Sequence, residues 1–548
     1  MPNTHDPRHP IRRLLSQLGP GFLQSACTIG GGTLGASLFL GSFAGQSALW
    51  VQPVAMLLGV GVLLMLVHVT LSIGESPLGL INQKVSPVLG WGWLIATVAA
   101  NMVWGLPQYN LGTDALTQMV LPSVLGPDAV AGGSDGTMGR VLATALMAGC
   151  AGGIMLAQLS KSNGGRLFDR LIQIVVACIV ICFGVVGVKL LMNGDLALGS
   201  MARGFVPSPS LFFEPAAGYT QMLAESVHAE FWSERITTVQ RNTALAAISA
   251  AVGINMTFLM PYALLARGWG RGQRGLARLD LLVGLFLPFI LVCTFVVSAA
   301  AATLHGSGNI DRALIDYRFA DATDLQSTPS GLNNYRANLE AYAAEHLATW
   351  NPGHGDAADT AHAILLDTIP ESERLLAAAT IKHSTAALAA TLKSVFDGQS
   401  GALVFGVGVF FIALSTVLVH MLINGYALEV GFGIPRKIGS MLPLIAVIGP
   451  FFWGELSAYL VIPTAMIGLM LLPVALWGFL LLGRMRQLGE SRFGPIMLTV
   501  GGFVTVVYTV LSSWAAYMKL GWWGPGLIGL VFVAAILTSP MIRRRTAG

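Results

Sequence analysis

The sequence predicts an all-α polytopic membrane protein with about twelve transmembrane helices. Three observations carry this reading. The 548 residues are 54% hydrophobic and 11% charged, with a mean hydropathy of +0.68, whereas a soluble domain carries roughly 25% charged residues. Apolar stretches near the ~20 residues that a spanning helix needs recur along the chain. Arginine and lysine collect in alternate connections between them. This profile excludes a soluble enzyme, a nucleic-acid binder and a disordered chain as primary readings. The runs are continuous rather than alternating, which argues against a β-barrel. A formal charge of +4 decides nothing alone; the placement of the arginines does.

The expected spans are 18–45, 48–73, 90–120, 139–158, 167–193, 243–266, 279–304, 402–430, 438–454, 458–483, 494–517 and 522–541. Arg8, Arg12 and Arg13 precede the first. Lys161, Arg166 and Arg170 follow the fourth, and Arg267, Arg271, Arg274 and Arg278 the sixth. Arg436 and Lys437 follow the eighth, Arg484, Arg486 and Arg492 the tenth, and Arg543, Arg544 and Arg545 end the chain. Twelve crossings put all of these on one side, which the positive-inside rule makes cytoplasmic. The resulting order is a cytoplasmic N-terminus (1–17), spans one to five (18–193), an extracytoplasmic connection (194–242), and spans six and seven (243–304). An extracytoplasmic helical insertion (305–400), spans eight to ten (401–483), spans eleven and twelve (494–541) and a cytoplasmic tail (542–548) follow. The location expected is a cell membrane, plasma or inner, with both termini cytoplasmic. The first apolar run is too long for a cleavable signal and lacks a small-residue cleavage site. Cys27, Cys150, Cys178, Cys182 and Cys293 all fall inside spans and read as small core residues.

Both outer segments contain polar clusters. Glu225, His228 and Glu230 lie in the first, and His354, Asp356, Asp359 and His362 in the second, with helical stretches expected at 337–349 and 370–395. Neither cluster has the spacing of a closed metal site. A solvated polar face is the simpler reading of both.

Two spans carry breaks. Gly30-Gly31-Gly32-Thr33 interrupts the first. Glycine costs about 1 kcal/mol relative to alanine inside a helix, and unwound backbone in a bilayer is tolerated only against protein or a cavity. In the sixth, Gly253 and Pro261 bracket Asn255 and Thr257. Each broken span opens a five-span half, the pattern of inverted-repeat transporters whose half-helix ends build a midplane site. Close helix packing in the first span and a simple proline kink in the sixth are the alternatives.

At these residues the chain resembles the Nramp (natural resistance-associated macrophage protein) family of proton-coupled divalent-metal transporters. Gly19-Pro20-Gly21-Phe22-Leu23 resembles the GPGFL opening of the family's first helix, and Gly112-Thr113-Asp114-Ala115-Leu116 its ATDLAE stretch. Met260-Pro261-Tyr262 resembles the MPH of the sixth helix, Ser415-Thr416 the SST of the eighth, and Leu472-Pro473-Val474-Ala475-Leu476 the LPFAL of the tenth. The resemblance implies a LeuT-like inverted repeat with broken helices 1 and 6. It also implies a substrate site at Gly30, Gly31, Gly32, Thr33, Asn255, Thr257, Met260 and Tyr262. Asp114 matches an aspartate of the family's proton route, and His420 is a second candidate for proton coupling.

The departures are equally informative. The metal-binding DPGN falls on Gly30-Gly31-Gly32-Thr33, so its Asp and Asn ligands are absent. The His of MPH is Tyr262, a metal-binding glutamine of the tenth helix falls near Ala465, and the glutamate after the aspartate is Thr117. No metal-ligand set can be assigned from the sequence. The expected function is secondary active transport of a metal cation, divalent and proton-linked, by alternating access within the lipid bilayer. The alternatives are an organic solute such as an amino acid or amine, and a non-transporting membrane sensor of the same fold. No cofactor, nucleic-acid partner or enzymatic activity is expected.

Overall fold

The computed structural model describes residues 18–127, 136–160, 164–194, 198–306, 312–315, 331–347, 366–382, 400–452, 456–485 and 492–540, with Ala129, Ala131 and Leu196 between them. Helices and turns account for all regular structure among these residues. Ten of the expected spans are helices long and apolar enough to cross a membrane, counting one bent pair as a single span. The other two are shorter. The ninth is a chain of three pieces, Arg436–Met441, Leu442–Ile448 and Gly449–Phe452. The twelfth, Trp523–Thr538, has 16 residues, or about 24 Å at 1.5 Å per residue.

The bent pair is the first span. Pro20–Thr28 and Gly31–Ala44 meet at 53°. The break follows from three glycines in sequence, and neighbours have moved into the space that a Cβ would fill. At Gly30 a Cβ would lie 2.9 Å from Thr416 Oγ1, and at Gly31 it would lie 2.9 Å from Gln108 Oε1. The lower half of this span starts on an acidic cap. Asp280, fully buried at the start of the seventh span, accepts from the Gly19 and Gly21 amides at 2.9 and 2.6 Å. A carboxylate at a helix N-terminus satisfies orphan N–H groups and complements the helix dipole. The Gly-Pro-Gly opening allows that approach.

The sixth span is also in two parts, Ala229–Ala251 and Ile254–Ala266, separated by extended backbone at Val252 and Gly253. Its outer part begins well before residue 243, so 229–242 continues the span rather than belonging to a connecting loop. Pro261 sits inside the second part without ending it. The third span (Pro87–Val120) packs along the eighth (Ser400–Phe432) and the tenth (Leu456–Gly483), and Gly31–Ala44 packs along the seventh (Arg271–Leu304). Together these helices share one large apolar core.

A second, separate core caps the end of the bundle that holds the start of the sixth span. It draws Tyr219 and Met222 from the 194–242 segment, Trp232 and Ile236 from the sixth span, and Tyr335, Leu339 and Leu376 from the 305–400 segment. The helices Leu332–His346 and Glu371–Ala379 form its far side. At its centre Glu373, fully buried, accepts four hydrogen bonds. They come from Trp232 Nε1 (2.6 Å), the Val227 amide (2.7 Å), Ser226 Oγ (3.1 Å) and Ser372 Oγ (3.3 Å). Arg235 donates to Asn338 Oδ1 at 3.0 Å. His305 Nδ1, at the end of the seventh span, meets the Ser42 carbonyl at 2.9 Å, and Tyr219 lies edge-on to the His305 ring. The cap is therefore fastened to the outer ends of the first, sixth and seventh spans.

The structure shows where the Glu225, His228 and Glu230 side chains lie. The His228 ring stacks on His346 with centroids 3.9 Å apart, and its Nδ1 lies 2.7 Å from the Tyr342 hydroxyl. Glu225 accepts from Gln221, four residues earlier on its own helix. Among the described residues no three His, Cys, Asp or Glu side chains are grouped to hold a metal. His354, Asp356, Asp359 and His362 lie outside the described residues.

Candidate substrate cavity between the two broken spans

The two breaks face one another across a cavity of about 70 Å³. Room for one water needs about 10–15 Å³ on this kind of measure, so the space takes several waters or a small solute. Gly30, Gly32 and Thr33 line it from the first span, and Gly253, Asn255 and Met256 from the sixth. The third span adds Trp104 and Gln108, the eighth Thr416 and His420, and the tenth Thr464 and Ala465. Gly32 presents open space where a Cβ would be, with nothing within 4 Å.

Polar groups hold the broken helices in register. Gln108 Oε1 accepts from the Gly31 amide at 3.0 Å, so the third span supplies an acceptor for one N–H at the start of Gly31–Ala44. Asn255 Nδ2 donates to Asn101 Oδ1 at 3.0 Å, and Asn101 Nδ2 to Asn424 Oδ1 at 2.8 Å. This chain of three buried amides crosses the sixth, third and eighth spans. Asn255 Oδ1 also accepts from the Met256 amide at 2.8 Å, which caps the restarted helix. Thr28 donates its hydroxyl to Met256 Sδ at 2.9 Å and Thr33 its own to the Ala250 carbonyl at 3.4 Å, tying each break to the other. Thr416 donates to the Ala26 carbonyl at 3.2 Å.

The network leaves gaps. Nδ1 of His420 and Nδ2 of Asn424 are buried with no hydrogen-bond partner among the described residues. His420 is 2% exposed. An unmet buried polar atom costs about 1–3 kcal/mol, so a fold retains it rarely. Among the described residues no aspartate or glutamate lines the cavity; its side-chain polar groups are amides, hydroxyls, an imidazole, an indole, the Cys27 thiol and the Met256 thioether.

The residues singled out from the sequence are thus divided. Gly30, Gly32, Thr33, Asn255 and His420 line the cavity, and Gly31 stands behind its wall against Gln108. Thr257, Met260 and Tyr262 do not line it. Thr257 Oγ1 accepts from Trp93 Nε1 at 2.9 Å, Met260 is fully buried in the core, and the Tyr262 hydroxyl lies 2.8 Å from Ser76 Oγ. Asp114 is also elsewhere, 3.6 Å from Arg140 Nη2. Sequence reasoning missed Asn101, Trp104 and Gln108. Their i, i+3, i+7 spacing marks one helix face, and buried amides in an apolar span are a signal in themselves.

No protein-family model and no curated protein sequence matches the chain. Solved structures do. The chain is similar to three crystal structures of the manganese transporter of Eremococcus coleocola. One point mutant gives 14% identity and TM-score 0.65, the complex with an aromatic bis-isothiourea compound 14% and 0.64, and a second point mutant 13% and 0.64. Each alignment covers 99% of this chain and 97% of the other. From end to end, the chain has the fold of these membrane transporters, a LeuT-like arrangement with broken first and sixth helices.

Proposed function

We propose that the protein is a divergent Nramp-related secondary active transporter that carries a metal cation by alternating access. The observation that supports this most is the meeting of two broken spans at a small polar cavity, in a chain whose whole length follows the fold of a manganese transporter. Half-helix ends at the midplane provide dipoles and backbone groups without unfolding the bundle. Asn255, Thr33, Gln108 and Thr416 would contact the cargo through oxygen, and His420, Met256 and Cys27 through nitrogen and sulfur. That neutral, partly soft set suits borderline cations such as Zn²⁺ better than hard ones such as Mg²⁺. Coupling to protons is part of the proposal, with His420 beside the cargo and Asp114 at the Arg140 pair as candidate carriers. The arginine-rich ends face the cytoplasm of a cell membrane in this reading, and the role is transport rather than catalysis.

The absence of any carboxylate from the cavity lining favours a second reading, an organic solute. The helices Gly31–Ala44 and Ile254–Ala266 both begin there, and their N-terminal ends would attract a carboxylate. Uptake into proteoliposomes of Mn²⁺, Zn²⁺, Mg²⁺ and amino acids, with and without a pH gradient, separates the two. Metal uptake is expected, with Zn²⁺ above Mg²⁺. Amino-acid uptake without metal uptake overturns the first reading, and no uptake of any kind overturns both in favour of a sensor.

A further inference from the structure

At the arginine-rich end of the bundle a half-open cavity of about 1230 Å³ lies between the ends of the first, fifth, sixth and eighth spans. Four guanidinium groups line it: Arg166 and Arg170 from the start of the fifth span, Arg267 from the end of the sixth, and Arg436 just beyond the eighth. Asp169 is the single carboxylate in the lining. It pairs with Arg267 at 2.6 Å. Glu429 pairs with Arg436 at 2.5 Å, and that guanidinium also lies over the Tyr426 ring at 4.6 Å. The two carboxylates leave the space with an excess of positive charge, and the exposed Arg166 and Arg170 stand at its rim. Leu18, Leu23, Phe168, Leu276 and Leu422 add an apolar minority to a mostly polar lining.

The same cavity lies against the start of the first span. A Cβ on Gly19 would fall 2.2 Å from Arg267 Nη2, so that guanidinium rests on the backbone where the first span begins. Gln173 Nε2 donates to the Leu18 carbonyl at 3.0 Å. One occupant would touch the inner ends of both broken spans and the two spans beside them.

We propose that this cavity binds a phosphate-bearing anion. Arginine forks match phosphate oxygens in pairs, and basic pockets between spans on the cytoplasmic side suit anionic headgroups. A phospholipid headgroup would bring its phosphate to the arginines. A free phosphate would use the rim alone.

The test uses the full-length purified chain and does not depend on what the protein transports. In one arm the protein is reconstituted with phosphatidylglycerol mixed into phosphatidylcholine, and retained lipid is counted by native mass spectrometry. In the other, inorganic pyrophosphate binding is measured by calorimetry in neutral detergent. The double variant Arg166→Gln with Arg170→Gln removes the rim at exposed positions. Arg484→Gln, exposed at the same end and outside the cavity, is the control. Binding in either arm should weaken roughly tenfold to a hundredfold in the double variant and hold in the control. Loss in the lipid arm identifies a phospholipid site, and loss in the pyrophosphate arm a soluble one. Unchanged binding in both arms, or equal loss in Arg484→Gln, overturns the proposal, because the arginines would then act only as diffuse surface charge.

Discussion

Two regions of the molecule bury polar side chains, and the group at the centre of each is met differently. In the cap, Glu373 accepts from four donors on three segments. In the membrane cavity, His420 Nδ1 finds no partner among the described residues. A satisfied buried carboxylate is a structural joint, since removing it orphans its donors. An unsatisfied imidazole beside a cavity contributes little to stability and stays available to a ligand. The difference separates what holds the protein together from what it works with.

The largest effect expected is on transport. Gly31→Leu should abolish it while the protein still inserts, because the side chain would collide with Gln108 and Leu111. Gly32→Ala, one residue on, meets open space and should insert and transport at close to the parent rate. Equal loss from both would mean that the whole run, rather than the contact with Gln108, sets the break. Next comes Glu373→Ala. It orphans the Trp232, Val227 and Ser226 donors at about 1–3 kcal/mol each, so on the order of 3–9 kcal/mol of local stability should go. Limited proteolysis of the 305–400 segment reads this directly.

His420→Leu sharpens the contrast. Uptake should fall by roughly tenfold or more, the loss of one good polar contact. Thermal stability should hold or rise, since an unpaired polar group is replaced by an apolar one of similar size. Melting that drops as far as in Glu373→Ala would erase the distinction between the regions. The smallest effect belongs to Asp114→Asn. Its partner Arg140 is 30% exposed and 3.6 Å away, and such pairs contribute about 0–1 kcal/mol. Stability should barely change, and the pH profile of uptake should flatten if Asp114 carries the coupling proton. An unaltered profile would leave His420 as the candidate.

The membrane spans were legible in the sequence because the bilayer forces long apolar helices. Gly30–Gly32 located the first break for the same reason, since nothing else in a span tolerates three glycines. The second break was less legible. Gly253 and Pro261 bracket the expected break, whereas the chain turns at Val252 and Gly253 alone and the helix accommodates Pro261. Met260 and Tyr262 consequently lie outside the cavity, and Met256 lines it. The cap was legible only as helical segments. Its core joins residues more than a hundred positions apart, and no local periodicity encodes such pairings.

The cap also sets an order of assembly. Trp232 and Glu373 are separated by 141 residues, and the seventh span lies between them. At roughly 5–20 residues per second of synthesis, the indole waits on the order of ten seconds for its acceptor. During that interval the apolar face of Tyr219, Met222, Trp232 and Ile236 has no cover from the later helices. Closure of the cap therefore follows synthesis of the seventh span and of the segment after it. A cell carrying Glu373→Ala would then register the lesion first as a shortage of mature protein, before any change in the turnover of the molecules that survive.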